Sequence, residues 1–367
     1  MKRLSTNFNL AIFVLFLLRL WLPSTEALPI SATKKLKKLD RFEEVGDRTP
    51  VKTFTSSMFE HWSPEKSLSK DSSASSWNYQ DTNAWANLPN SACGAKQQSP
   101  IDIRPRLSEK KAFSKLSFEN YGNIDKMGLV NSGSSVVYTL PSTFPKNRVP
   151  SISGGGLNDV YNFIQFHLHW GANSAKGSEH LMNSKSYPAE LHLVHYNTKY
   201  GSFAEATKHS DGLAVLGIFI SVGPNDNEFF QPLVGQLDEV ITAQSETILT
   251  NLVPFKNLLP KQTTSFYRYS GSLTTPICNE IVIWTVFDNP IQISEKQLAK
   301  FRKLEDNTAK SLVDNFRPAQ QLNGRIKFYR SFTGCEIPRS WPITSTPFLD
   351  AFTWTTCLIN FTFSPWQ

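Results

Sequence analysis

Gln165-Phe166-His167-Leu168-His169-Trp170-Gly171 alternates side chains suited to a polar site with side chains suited to a core. Successive side chains of a β-strand point to opposite faces. Gln165, His167 and His169 therefore share one face, and Phe166 and Leu168 the other. Two imidazoles two residues apart make a natural pair of metal ligands, although two hydrogen-bonded structural histidines fit the same spacing. A second stretch, Ala189-Glu190-Leu191-His192-Leu193-Val194-His195-Tyr196, repeats the rhythm. Glu190, His192 and Val194 fall on one face, and Leu191, Leu193 and His195 on the other. If the two strands pair, His192 completes a three-nitrogen set, and the Glu190 carboxylate can orient a neighbouring imidazole. His195 faces away and reads as a packed, hydrogen-bonded histidine. Three neutral histidines leave one tetrahedral position open on Zn²⁺, the arrangement that activates water.

Around these stretches, Trp77 to about Phe332 has a uniform texture: short apolar or alternating runs separated by Gly, Pro, Asn and Ser. Ser135–Leu140, Phe163–Trp170, Ala189–Tyr196, Leu213–Val222 and Glu280–Phe287 read as strands. Helical periodicity is confined to Phe229–Leu237 and Glu295–Leu304. Ser294 with Gln297 predicts a capping box at the second. No repeat or interior linker divides the segment. It reads as one mainly β (α+β) domain over 76–332, with a large mixed sheet and short peripheral helices.

The chain's 367 residues are 40% hydrophobic and 12% aromatic, which excludes disorder as a whole, and four cysteines are too few for a disulfide-stapled framework. The net charge of +7 invites a nucleic-acid partner. Residues 1–75 alone contribute +4 of it, however, so no basic stripe on a folded face is indicated and nucleic acid is excluded. Residues 1–27 read as an export signal: Lys2 and Arg3, the apolar run Leu10–Leu18, then Thr25-Glu26-Ala27 as a cleavage site. An uncleaved signal anchor is the alternative and the one expected route to a membrane. Residues 28–75 are a polar, disordered lead with the cluster Lys34-Lys35-Leu36-Lys37-Lys38, and 333–367 form an extension of unassigned role.

Taken together, Trp77-Asn78-Tyr79, Cys93-Gly94, Gln97–Ile101, Gln165–Gly171, Gly177–His180, Glu190–His195, Ser272–Pro276 and Asn315–Gln320 resemble the successive signatures of the α-class carbonic anhydrases, secreted type. The resemblance covers about 76–332. It implies a twisted, mostly antiparallel central sheet and reversible hydration of CO₂ to bicarbonate and a proton through zinc-bound hydroxide. On it, His167, His169 and His192 match the zinc ligands. Thr274 matches the residue whose hydroxyl accepts from the hydroxide while donating to Glu179. Thr275 helps to position bicarbonate. Gln165, Glu190 and Asn315 match the partners that orient the ligand histidines. Val194, Val215, Leu273, Val282 and Trp284 match the apolar wall for CO₂. His180 matches a buried structural histidine outside the site. Cys93 and Cys278 match positions disulfide-bonded in exported members, a bond typically worth about 2–4 kcal/mol.

One position departs from the pattern. Asn131-Ser132-Gly133-Ser134 puts Ser134 where the family carries its proton-shuttle histidine. Serine does not titrate near neutrality, so proton transfer is expected to be inefficient, with Tyr79 and Asn131 matching water-ordering positions. The alternative to an enzyme is a non-catalytic carbonic-anhydrase-like matrix or binding protein. Such relatives lose a ligand histidine, whereas all three are present here. Cys335, Cys357 and the sequon Asn360-Phe361-Thr362 lie in the C-terminal extension.

Overall fold

A computed structural model describes residues 77–330, apart from 251 and 253. The expected export signal, polar lead and C-terminal extension lie outside the described residues, as do Cys335 and Cys357. The strands in chain order are β1 (Asp102–Ile103), β2 (Glu109–Lys110), β3 (Leu116–Glu119), β4 (Lys126–Asn131), β5 (Val136–Thr139), β6 (Ser151–Gly154), β7 (Tyr161–Trp170) and β8 (Leu181–Met182). They continue with β9 (Ala189–Asn197), β10 (Leu213–Gly223), β11 (Glu246–Thr250), β12 (Phe266–Gly271), β13 (Val282–Phe287), β14 (Ile291–Ser294) and β15 (Phe328–Arg330). Three short α-helices accompany them: α1 (Phe203–Ala206), α2 (Gln231–Gly235) and α3 (Glu295–Phe301).

Thirteen strands form one sheet with the path β11-β4-β5-β7-β9-β10-β13-β12-β15-β2. β3 joins through β6 to β7, and β14 lies beside β10. Most pairings are antiparallel; β10 with β13, β10 with β14 and β15 with β2 are parallel. The mainly β, mostly antiparallel reading therefore holds.

The helices are shorter than their periodicity predicts. Over Phe229–Leu237, Pro232 sits in the first turn and Gly235 ends α2, and a 3₁₀ turn at Leu237–Glu239 follows. The Ser294–Gln297 capping box forms as expected at α3.

The sheet separates two apolar clusters. One contains Phe163, Phe166, Leu168, Leu191, Leu193, Ala214 and Leu216. The other contains Val194, Val215, Tyr267, Tyr269, Val282, Trp284 and Val286, with Leu273 and Phe203 packed against it. The β7–β9 register decides which residues meet on the second side: Gln165 opposes Val194, His167 opposes His192, and His169 opposes Glu190. A register irregularity between Phe163 and Gln165 adds Ile164 to β7 without a partner. Phe163 thus stays with the first cluster, while Ile164 packs against the second.

Candidate metal centre

The register places three imidazoles in one nest. The rings of His167 and His169 lie 5.0 Å apart, His167 and His192 5.2 Å, and His169 and His192 4.7 Å between centroids. One ligand atom from each falls within 4.8 Å of the others. His169 and His192 are fully buried and His167 is partly exposed, so the nest opens at His167.

The partners of His169 and His192 fix which nitrogen is free. His169 Nδ1 lies 2.7 Å from the Asn315 carbonyl oxygen. A carbonyl only accepts, so Nδ1 carries the proton and Nε2 a lone pair. His192 Nε2 lies 2.8 Å from Glu190 Oε1, and the same reasoning leaves the lone pair on Nδ1. His167 Nδ1 faces the Gln165 amide, with Nε2 at 2.9 Å and Oε1 at 3.0 Å. Gln165, Glu190 and the Asn315 carbonyl thus each contact one of the three rings. Burial depresses the pKa of His167 well below its usual value, with the neighbouring His169 and His192 adding to the effect. Burial also lowers that of His169. Neutral imidazoles are the form that binds metal.

The free nitrogens test whether a metal fits. His169 Nε2 and His192 Nδ1, both lone-pair atoms by this assignment, lie 3.2 Å apart. Two acceptors at that distance repel unless a cation sits between them. A tetrahedral Zn²⁺ with Zn–N bonds of about 2.0–2.1 Å would hold two ligand nitrogens roughly 3.3 Å apart. Glu179 adds negative charge: its Oε2 is buried, accepts no hydrogen bond, and lies 3.4 Å from His169 Nε2 and 3.9 Å from His192 Nδ1. Donor chemistry, spacing and the orphaned carboxylate oxygen all suit a divalent cation.

Glu190 is the hub behind the nest. It accepts from His180 Nδ1 at 2.7 Å and the His180 backbone N–H at 2.8 Å, besides His192. Burial opposes its charge, yet His180 and His192 hold its carboxyl well below the usual carboxylate range. His180 is bound on its far side by Tyr269 at 2.6 Å, consistent with a structural role outside the nest.

Val194, Val215, Val282 and Trp284 belong to one apolar cluster beside the nest, with Leu273 packed against it. Val194 opposes Val215 and Val215 opposes Trp284, while Leu213 opposes Val282. The Trp284 ring packs 4.8 Å from His192, and its Nε1 donates to the Ser272 carbonyl at 3.1 Å, tying the Leu273-Thr274-Thr275 loop to the nest. The Cys93–Cys278 disulfide and the bond from Cys278 N–H to Thr275 O at 2.8 Å brace the same loop. Thr274 is buried. The donation expected from Thr274 to Glu179 is not formed, because Glu179 Oε2 is turned toward the histidine nitrogens.

Asn131 is fully buried and spends its amide on Ile241 O at 2.8 Å and Glu305 O at 3.0 Å, while its Oδ1 accepts from Gly133 N–H. It braces a turn, with both amide hydrogens engaged by protein carbonyls. Tyr79 packs edge-on against Trp77 and Trp85 in the aromatic cluster over the disulfide. Ser134 is partly exposed, with its Oγ 3.1 Å from Ser132 Oγ.

Sequence reading gave Arg317 no role. Its backbone N–H donates to Glu179 Oε1 at 2.8 Å, and its buried guanidinium reaches Gln98 Oε1, Ser99 O and Cys93 O at 2.8–2.9 Å. An arginine inside the Asn315–Gln320 motif was the available signal, but a backbone donor carries no side-chain signature.

Comparison with known proteins agrees with this geometry. The family model of the eukaryotic-type carbonic anhydrases matches residues 80–331. A Caenorhabditis elegans relative, carbonic anhydrase 5 by its provisional name, is 40% identical over 256 residues, covering 69% of this chain and 81% of that protein. Carbonic anhydrase 3 of Bos taurus and of Sus scrofa are each 36% identical over 260 residues, covering 69% of this chain and 97% of theirs. The chain belongs to the eukaryotic-type, α-class carbonic anhydrases and is an enzyme of that family.

Proposed function

We propose that the chain is a secreted zinc carbonic anhydrase whose turnover is limited by proton transfer. The pair of facing lone-pair nitrogens at 3.2 Å, His169 Nε2 and His192 Nδ1, carries the metal reading. His167, His169 and His192 hold the ion. Zn²⁺ bound there supplies Lewis acidity that makes a water acidic enough to become a nucleophile near neutral pH, chemistry for which this family is the type case.

The surrounding residues do the rest. Gln165, Glu190 and the Asn315 carbonyl keep the three rings in the tautomers that face inward. Glu179, an acceptor-only group anchored by Arg317 N–H, would accept a hydrogen bond from the Thr274 hydroxyl, leaving the Thr274 oxygen as an acceptor toward the nucleophile. Val194, Val215, Leu273, Val282 and Trp284 exclude water where CO₂ enters, and Thr275 positions bicarbonate. At the mouth, the Ser132–Ser134 hydroxyl pair offers hydrogen bonds but no group that titrates near neutrality.

Export rests on the segment over 1–27 as a signal, with 28–75 as lead, 76–332 as catalytic domain and 333–367 as extension. The Cys93–Cys278 bond is compatible with an oxidising compartment. Among the described residues no helix is long and apolar enough to cross a membrane.

Zinc analysis with stopped-flow CO₂ hydration in rising imidazole tests the proposal. One zinc per chain, sulfonamide-sensitive hydration and a maximal rate that climbs with imidazole are expected, and Ser134→His should raise the rate at low buffer. A buffer-independent maximum would refute the proton-transfer limit. Absence of zinc and of hydration would return the chain to a matrix or binding role.

A further inference from the structure

The sheet carries a second polar centre, on the face away from the histidine nest. Arg268 on β12 is 4% exposed, and none of its three guanidinium nitrogens has a hydrogen-bond partner. Its Cα partner on β13 is Thr285, whose buried hydroxyl is equally without one. Cross-strand partners share a face, with Cβ atoms about 4.5–5.5 Å apart. Two donors therefore sit side by side inside the protein with nothing to receive their protons.

Their surroundings take up part of the charge. The guanidinium carbon lies 5.4 Å from the Phe266 ring centroid and 5.9 Å from that of Phe113. Ring faces attract a cation but offer no lone pair to its N–H groups. No carboxylate among the described residues pairs with Arg268, and burial pushes its pKa down to about 10. Arg330 of β15, across from Phe266, adds a second buried guanidinium to this side of the sheet, donating to Phe113 O and Thr264 O. Buried cations are ordinarily paired, because leaving one alone forfeits its hydration without return.

We propose that Arg268 and Thr285 bind a halide-sized monovalent anion inside the sheet, on the face away from the histidine nest. Phe266 and Phe287, the neighbours on that face, belong to the first apolar cluster, whereas Tyr267, Tyr269, Trp284 and Val286 belong to the cluster beside the nest. The anion receives N–H bonds from the guanidinium and the O–H bond from Thr285. It takes the place of a carboxylate, which no described residue supplies.

Bromide-soaked crystals of the full chain, measured at the bromine absorption edge, test this directly. An anomalous peak within hydrogen-bond distance of Arg268 and Thr285 is expected; water alone at that position overturns the proposal. Thermal unfolding in sodium chloride against sodium gluconate at equal ionic strength is the solution counterpart. Chloride at roughly tenfold excess over its Kd should raise Tm by about 3–5 °C. The rise should vanish in Arg268→Met and shrink in Thr285→Val, with CO₂ hydration unchanged. An equal rise in Arg268→Met overturns the proposal. If that variant does not fold, the bromide experiment on the unaltered chain decides.

Discussion

His192 and His195 lie three residues apart on β9, and both are fully buried. Only their faces differ. His192 turns toward the nest, where Glu190 takes one ring nitrogen and the other points at His169. His195 turns into the opposite core, where Tyr121 OH lies 2.6 Å from Nε2 and Ala214 O 3.3 Å from Nδ1. Burial and residue type are therefore no guide to a metal ligand. On the zinc reading proposed above, a ligand is marked instead by a lone pair left over after every protein partner is counted, aimed at other leftover lone pairs.

Substitutions at the two positions should accordingly part company. His192→Ala removes a leftover lone pair, and we expect zinc affinity and CO₂ hydration to fall by more than about 100-fold, beyond the range typical of an outer partner. His195→Phe should leave zinc stoichiometry intact; loss of zinc in both would erase the distinction. Glu190→Gln keeps the shape of the hub but weakens its hold on His192, for an expected loss of about 10–100-fold in zinc affinity by competitive chelation.

The third contrast is in pH. Burial pushes the His195 pKa down to about 3 from its ordinary 6.5. Between those values the unfolded chain binds a proton that the folded chain refuses. The stability contributed by neutral His195 is thus complete above about pH 6.5 and is lost as pH falls toward 3, by up to about 1.4 kcal/mol per pH unit. Denaturant titrations from pH 7 to pH 4 should show this slope, and His195→Phe should flatten it. The smallest effect is expected for Tyr121→Phe, which strips one partner from a buried ring and should cost about 1–3 kcal/mol without touching activity.

Much of this contrast is legible in the sequence. Alternation in Gln165–Gly171 and Ala189–Tyr196 assigned His167, His169 and His192 to one face and His195 to the other, because a two-residue period leaves no freedom. The antiparallel pairing itself was an assumption, and the β7 irregularity at Ile164 could not be read, since an unpaired residue leaves no mark on composition. Long-range partners were the weakest part. Arg317's grip on Glu179 runs through a backbone N–H, and the sequence-adjacent residues around Asn131 gave no hint that its amide reaches Ile241 and Glu305. The unpaired Arg268 was equally invisible, as a lone arginine in a strand usually finds a neighbour.

Arg317 has a consequence in time as well as in space. Its partners, Cys93, Gln98, Ser99 and Glu179, precede it by 224, 219, 218 and 138 residues. During synthesis β7 and β9 can pair, and the three imidazoles can gather, while residue 317 is still inside the ribosome. The carboxylate beside them is anchored only when the far end of the domain arrives, a contact order that slows folding. A nascent chain caught between those events would own a metal trap before it owned an enzyme.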